Sequence, residues 1–104
     1  MFIYNTTFHI DDDILDDGLV FLKKVYIPQA LVSGELYEAR LSFIHHQHEE
    51  SGSSFSLQFR TQSVEDLNNW AQTDGFILQQ KMVELFGNKM TGFNTLLEEI
   101  DFYK

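Results

Sequence analysis

The alternation that decides the fold is FIYNTTFHI, which runs from Phe2 to Ile10. Its even-numbered positions are mainly apolar, its odd-numbered positions are mainly polar, and residues that favour strands occur throughout. This period of two predicts a strand with one buried face. The acidic run Asp11–Asp13 then ends the strand and provides an N-cap and first-turn carboxylates for a helix.

Further patterns follow in a fixed order along the chain. They predict a helix from Ile14 to Leu31, a strand from Glu35 to His45, a hairpin loop from His46 to Ser53, a strand from Ser54 to Gln62, a helix opened by Ser63 and ended by Gly87, and a strand from Thr91 to Ile100. The order β-α-β-β-α-β predicts one ferredoxin-like α+β domain over residues 1–104. We expect a four-stranded antiparallel sheet in the order 4-1-3-2, with strands one and three as parallel neighbours and both helices on one face.

Both helices carry an apolar stripe at helical spacing. The stripe residues are Leu15, Leu19, Leu22 and Tyr26 in the first helix, and Leu67, Ala71, Leu78, Met82 and Leu85, flanked by Trp70 and Ile77, in the second. Gly18 lies on the first stripe and favours close approach of that helix to the sheet. Pro28 predicts a kink near Val25 or a fresh final turn, because proline removes a helical hydrogen bond. Gly75 costs roughly 1 kcal/mol relative to alanine and is a weak point of the second helix.

Composition limits the function classes. The chain has 104 residues and a net charge of −9, from 16 acidic and 7 basic residues. Such acidity disfavours nucleic acid and anionic membranes as partners, since both repel it. No cysteine is present, which excludes disulfides, cysteine-ligated zinc and thiol catalysis and fits a cytoplasmic protein. We see no signal peptide and no apolar run of the roughly 20 residues that span a bilayer.

The predicted sheet has a second face that the helices do not cover. We expect the most apolar sets to lie beneath the helices, namely Phe2, Tyr4, Phe8 and Ile10, then Tyr37, Leu41 and Phe43, then Phe55, Leu57 and Phe59. The opposite face is mixed in polarity. It either contacts water or stacks against a second copy to form a homodimer with a semi-polar interior that could hold a small ligand.

Five polar residues on the mixed face are candidate ligand-binding residues. They are Asn5, His9, Arg40, Gln58 and Arg60. In an enclosed interior, His9 could act as a general base, and arginine could stabilise an enolate or carboxylate. Alternatively, these residues form hydrogen bonds and ion pairs at a dimer interface. This alternative is favoured because most buried polar groups have a structural role.

Other clusters have a simpler structural interpretation. His45, His46 and His48 lie near Glu49 and Glu50, but no ligand spacing is fixed, and a solvated loop is favoured over a metal site. The acidic run from Asp11 to Asp17 lacks the pattern of a calcium loop and is better explained by helix capping. No phosphate loop, HExxH motif or nucleophile elbow is present, and we predict neither a metal nor a cofactor.

Several motifs resemble those of one known family. They are Tyr4-Asn5-x-Thr7, Ile27-Pro28-Gln29-Ala30-Leu31-x-Ser33-Gly34, Ala39-Arg40-Leu41, Phe55-Ser56-Leu57-Gln58-Phe59 and Phe93-Asn94-Thr95-x-Leu97-Glu98. In their order and spacing the chain resembles a bacterial family of small proteins built on a domain of unknown function. The resemblance implies a ferredoxin-like fold of the dimeric α/β-barrel type and assigns no catalytic residue. The wider superfamily is similar in fold to cofactor-independent monooxygenases, haem-degrading enzymes, isomerases and effector-sensing domains, which is an analogy of fold alone.

Two function hypotheses follow. The first is a small cytoplasmic homodimer that binds a ligand or a partner without catalysis, formed through the mixed sheet face. The second is a cofactor-independent enzyme of monooxygenase or isomerase type, with His9 as the base and Arg60 and Asn5 as orienting groups. The first is favoured because no recognisable reactive pair occurs in the chain.

Overall fold

The computed structural model describes residues 1–45 and 51–103. The strands are β1 (Phe2–Ile10), β2 (Tyr37–Ile44), β3 (Ser53–Thr61) and β4 (Met90–Glu98). The α-helices are α1 (Leu15–Phe21), α2 (Ile27–Ala30), α3 (Val64–Gln72) and α4 (Asp74–Phe86). Short 3-10 turns at Asp12–Ile14 and Gly87–Lys89 join helices to strands, and a π-helical turn at Leu22–Tyr26 joins α1 to α2.

The four strands form one sheet in the order β2-β3-β1-β4, which is the predicted order read from the opposite edge. The ferredoxin-like α+β fold is therefore confirmed. The expected parallel pairing of the first and third strands is wrong, because β1 pairs with β3 antiparallel. The hairpin makes β3 run opposite to β2, and β1 runs in the same direction as β2 after the helical crossover. A strand inserted between two parallel strands then opposes both.

The sheet has a covered face and an open face. The covered face packs on the helices, and its buried strand residues include Phe8, Ile10, Phe55, Leu57, Phe59 and Met90. The strand register places these residues on the open face: Ile3, Asn5, Thr7 and His9 of β1, Ser54, Ser56, Gln58 and Arg60 of β3, Tyr37, Arg40, Ser42 and Ile44 of β2, and Thr91, Phe93, Thr95 and Leu97 of β4.

Tyr37 lies on the open face, so its predicted place beneath the helices is wrong. It pairs with Arg60, whereas Arg40 pairs with Gln58, so two residues of β2 oppose one residue of β3. This β-bulge includes Glu38, whose φ of 53° is in the left-handed region. One extra residue shifts the alternation by one position and turns the tyrosine to the other side of the sheet.

The first helical segment is irregular ahead of its proline, as the sequence predicts. The backbone N–H of Ile27 bonds to the carbonyl of Leu22, five residues back, and Pro28 follows inside the last turn. Proline has no backbone N–H to donate, and the wider π-helical turn accommodates this missing hydrogen bond. Gly18 is buried, and a Cβ there would lie 3.0 Å from Ile10, so the predicted close approach of this helix to the sheet is confirmed.

The second helical segment is divided at Thr73, where the backbone leaves the helical region. The predicted N-cap is present, since Ser63 Oγ accepts a hydrogen bond from the backbone N–H of Asp66 at 3.0 Å. Trp70 packs in the core rather than beside it. The stripe predicted for a continuous helix is wrong in part, because the break changes which residues face inward. Its exposed members are Ala71, Ile77 and Leu85.

Candidate functional site

All five candidate residues predicted from the sequence lie on the open face. Arg40, Gln58 and Asn5 form one row across β2, β3 and β1, because each is the register partner of the next. Adjacent strands lie about 4.8 Å apart, so these three side chains are close neighbours. Their role in ligand binding stays a prediction.

Asn5 is oriented by its neighbours on the open face. Its Nδ2 donates to Thr7 Oγ1 at 3.2 Å, and its Oδ1 accepts from Ser56 Oγ at 2.5 Å. The amide is half-buried between two hydroxyl groups of adjacent strands. These bonds fix which end of the amide donates and which accepts, so Asn5 is preorganised.

Arg60 is held by two carboxylates at one end of the sheet. Its Nη2 lies 2.8 Å from Glu99 Oε2, and its Nε lies 3.5 Å from Glu38 Oε2. Glu38 reaches it from the bulge in β2, an arrangement that the sequence alternation did not reveal. The two carboxylates offset the charge of the guanidinium and limit its attraction for an anionic ligand.

His9 lies towards the other end of the sheet. Its Nδ1 is 3.1 Å from Ser54 Oγ, and a Cβ on Gly52 would lie 2.7 Å from its Nε2, so the ring packs against the hairpin backbone. Ile3, the register partner of Arg60, precedes His9 by six positions, which places the histidine and arginine about 20 Å apart. Within one subunit, His9 and Arg60 cannot act together on one small substrate.

A depression of about 380 Å³ lies on the open face beside the bulge. Its lining residues are Ile3, Glu38, Ala39, Arg40, Gln58, Phe59 and Arg60. Three of the five candidates therefore line one concavity, whereas Asn5 and His9 do not. Among the described residues no ion pair involves Arg40.

Two exposed apolar side chains of β4 also belong to the open face. Phe93 is 65% exposed and Leu97 is 45% exposed. They pair with Thr7 and Ile3 of β1. Sequence reasoning placed the last strand but did not assign its faces. The alternation of threonine with Phe93 and Leu97 was the signal that could have identified them.

The acidic and histidine clusters show no metal-binding arrangement in the part of the chain that is described. Residues 1–45 and 51–103 contain no group of three or more metal-ligating side chains that could hold an ion. His45 is exposed, while His46, His48, Glu49 and Glu50 lie outside the described residues. Asp13 pairs with Lys89, whose hydrogen bond lowers the pKa of the carboxyl group.

Throughout the described ranges, every helix is too short or too polar to cross a membrane.

Comparison with known proteins gives a family and a fold. Residues 1–100 match the DUF4286 family, a domain of unknown function. None of the curated proteins matches the chain. The crystal structure of HapK from Hahella chejuensis is similar, with a TM-score of 0.72, 9% identity, and coverage of 100% of this chain and 98% of that one. A dimeric ferredoxin-like protein from an uncultured marine organism has a TM-score of 0.67 and 14% identity, with coverage of 100% and 99%.

Proposed function

The chain belongs to the DUF4286 family, a domain of unknown function, and we propose that it works as a homodimer joined through the open face. In this proposal residues 1–104 form a single cytoplasmic domain that binds a small ligand or a protein partner without catalysis. Nucleic acid and membranes are not its partners. The observation that carries the proposal is the exposure of Phe93 and Leu97 beside half-buried polar residues on a sheet face that the helices leave uncovered.

The open face is large enough for a stable dimer. Four strands of about nine residues, with spacings of ~4.8 Å between strands and ~3.4 Å between residues, give a flat area of about 600 Å². Stable interfaces bury about 800 Å² on each partner, and side-chain relief raises the accessible area above the flat one. The residues after β4 add apolar surface, since Ile100 and Phe102 are 87% and 78% exposed.

Charge distribution also supports contact through the open face. The chain carries a net charge of −9, and two copies repel each other when their acidic surfaces meet. On the open face, Arg40 and Arg60 are balanced by two carboxylates, Glu38 of the bulge and Glu99, which pairs with Arg60, so this face is close to neutral. The acidic residues of the first helical segment lie on the other side of the sheet. Stacking through the open face therefore keeps the acidic helical surfaces of the two copies away from each other.

A second copy would close the depression at the bulge. Arg40 and Gln58 line this depression, and in a dimer both would be removed from bulk water. A guanidinium in such a place favours a carboxylate or another planar anion. The similar protein from a marine organism is described as dimeric, which supports a homodimer here. Nothing in the arrangement favours the enzyme hypothesis, because His9 and Arg60 are far apart.

The test is the molar mass of the wild type and of two charged variants, measured by sedimentation equilibrium. We expect the wild type to have twice the chain mass of 12.2 kDa. Phe93→Glu should be monomeric, since it places an unpaired charge at the interface. Val83→Glu is the matched control because Val83 is 52% exposed on α4, and it should remain dimeric. A monomeric wild type, or equal masses for the two variants, would overturn the proposal.

A further inference from the structure

A second concavity lies on the covered side of the sheet, between β1 and β4 on one side and α3 and α4 on the other. Its volume is about 330 Å³, within the range of small-molecule sites. We propose that this helix-side cleft binds a small, uncharged aromatic molecule that carries a carbonyl or hydroxyl group. The cleft and the open face are on opposite sides of the sheet, so this proposal goes beyond the dimer.

Two glycines shape the helix-side cleft. Gly92 faces it from β4, where a Cβ would lie 3.2 Å from Phe8 and from Thr6, so its missing side chain leaves the floor open. Gly75 lies at the start of α4, where a Cβ would lie 2.6 Å from the ring of Trp70. Because Gly75 has no Cβ, the backbone of α4 packs directly against the indole of Trp70, which forms one wall of the cleft. Neither glycine has a positive φ, so close packing rather than turn geometry favours them.

The polar groups of the cleft are hydrogen-bonding and uncharged. Tyr26 is 6% exposed and borders the cavity. Thr6 Oγ1 donates to Asn94 Oδ1 at 2.9 Å, which leaves the amide NH₂ of Asn94 as a donor. Gln79 adds a second amide at the rim. Burial raises the pKa of Tyr26, so its hydroxyl remains a donor at neutral pH.

These features define the class of ligand. None of the described residues that line the cleft carries a charged side chain, so none of them offsets the cost of burying a ligand's charge. Phe8 and Trp70 provide flat apolar surfaces, and Phe76 stands at the mouth with 57% of its surface exposed. Aromatic walls favour a flat ring, whereas the phenol and the amide donors favour an acceptor oxygen. A neutral aromatic alcohol or ketone satisfies both requirements.

The test is an NMR titration of ¹⁵N-labelled protein with 2-naphthol, which is neutral at pH 7, and with 2-naphthoate, which is an anion of similar shape. The chain has one tryptophan, so its indole N–H signal reports directly on the wall of the cleft. We expect saturable shifts of the Trp70 indole and of the Gly75 and Gly92 amides with 2-naphthol. The anion should give no saturable shift of these signals. Equal binding of the two probes, or no saturable shift with 2-naphthol, would overturn the proposal.

Substitutions locate the probe within the protein. Asn94→Leu and Gln79→Leu remove amide groups that border the cleft, and each should weaken 2-naphthol binding by about tenfold. Gln80→Leu is the matched control, since Gln80 is the exposed neighbour of Gln79 and does not line the cleft. The dispersed spectra of the variants show whether they are folded. Binding unchanged in both cleft variants, or shifts confined to Thr7 and Phe93 on the open face, would contradict the assignment.

Discussion

The two faces of the sheet are made by alternate residues of the same strands, yet they are stabilised in different ways. On the covered face, Phe8 and Phe59 are 2% and 1% exposed, and aromatic rings meet edge to face, as in the Phe8–Tyr26 pair at 5.5 Å. On the open face, the central strands carry linked polar side chains, such as Asn5 with Ser56. Hydrophobic burial scales with the area removed from water, whereas an exchanged hydrogen bond contributes little net free energy. We therefore expect the covered face to determine stability and the open face to determine association.

The largest difference in stability should separate substitutions at Phe8 and His9, which are adjacent in sequence and point to opposite faces of the sheet. Phe8→Ala should lower the free energy of unfolding by about 3–5 kcal/mol, because it leaves a cavity in the core. His9→Ala should cost only about 1 kcal/mol, mainly through its contact with Ser54. Urea denaturation of both variants measures the difference. Equal losses in the two variants would show that the open face is part of the folding core.

A smaller change in stability should come from Gly75→Ala, for which helix propensity and side-chain packing predict changes of opposite sign. Alanine is the better helix former by about 1 kcal/mol, so a purely local account predicts that Gly75→Ala stabilises the protein. The new Cβ would lie 2.6 Å from the Trp70 ring. Because the indole is buried and its Nε1–H donates to the carbonyl of Ala30 at 3.1 Å, the ring cannot move freely. We expect a net loss of about 1–3 kcal/mol, and a raised melting temperature would contradict it.

The smallest effect should be a gain in stability on the covered face. Thr61 is fully buried, and within the described residues its Oγ1 has no hydrogen-bond partner. Thr61→Val replaces that hydroxyl with a methyl group of the same shape, which should stabilise the fold by about 1 kcal/mol. Thermal unfolding measures the change. The matched substitution Thr7→Val, on the open face, removes the acceptor of Asn5 and should not stabilise the protein.

Regular patterns allowed much of the fold to be predicted from the sequence. The bounds of β1 were predicted without error, and the irregular helix before Pro28 was predicted because proline has a strict local effect. Tyr37 was placed on the wrong face because a bulge is one residue whose position depends on the partner strand. The break at Thr73 is not marked by a proline, and the sequence indicated only a weak point at Gly75, two residues further on.

The candidate site was predictable as a face but not as a set of contacts. Alternation alone placed Asn5, Arg40 and Gln58 on one side of the sheet, and the register then made them one row. The separation of His9 from Arg60 and the pairing of Arg60 with Glu99 depend on antiparallel register and on the chain after β4. The helix-side cleft was missed because its lining comes from strands and helices that are distant in sequence, and no local pattern connects them.

We propose that the open face joins two copies of the chain. The most direct test is an isotope-filtered NOE experiment on a mixture of labelled and unlabelled protein, which detects only contacts between copies. We expect intermolecular NOEs from Phe93, Leu97 and Ile44 on the open face. Intermolecular NOEs from Val20 and Val83 on the helices, with none from the open face, would contradict it.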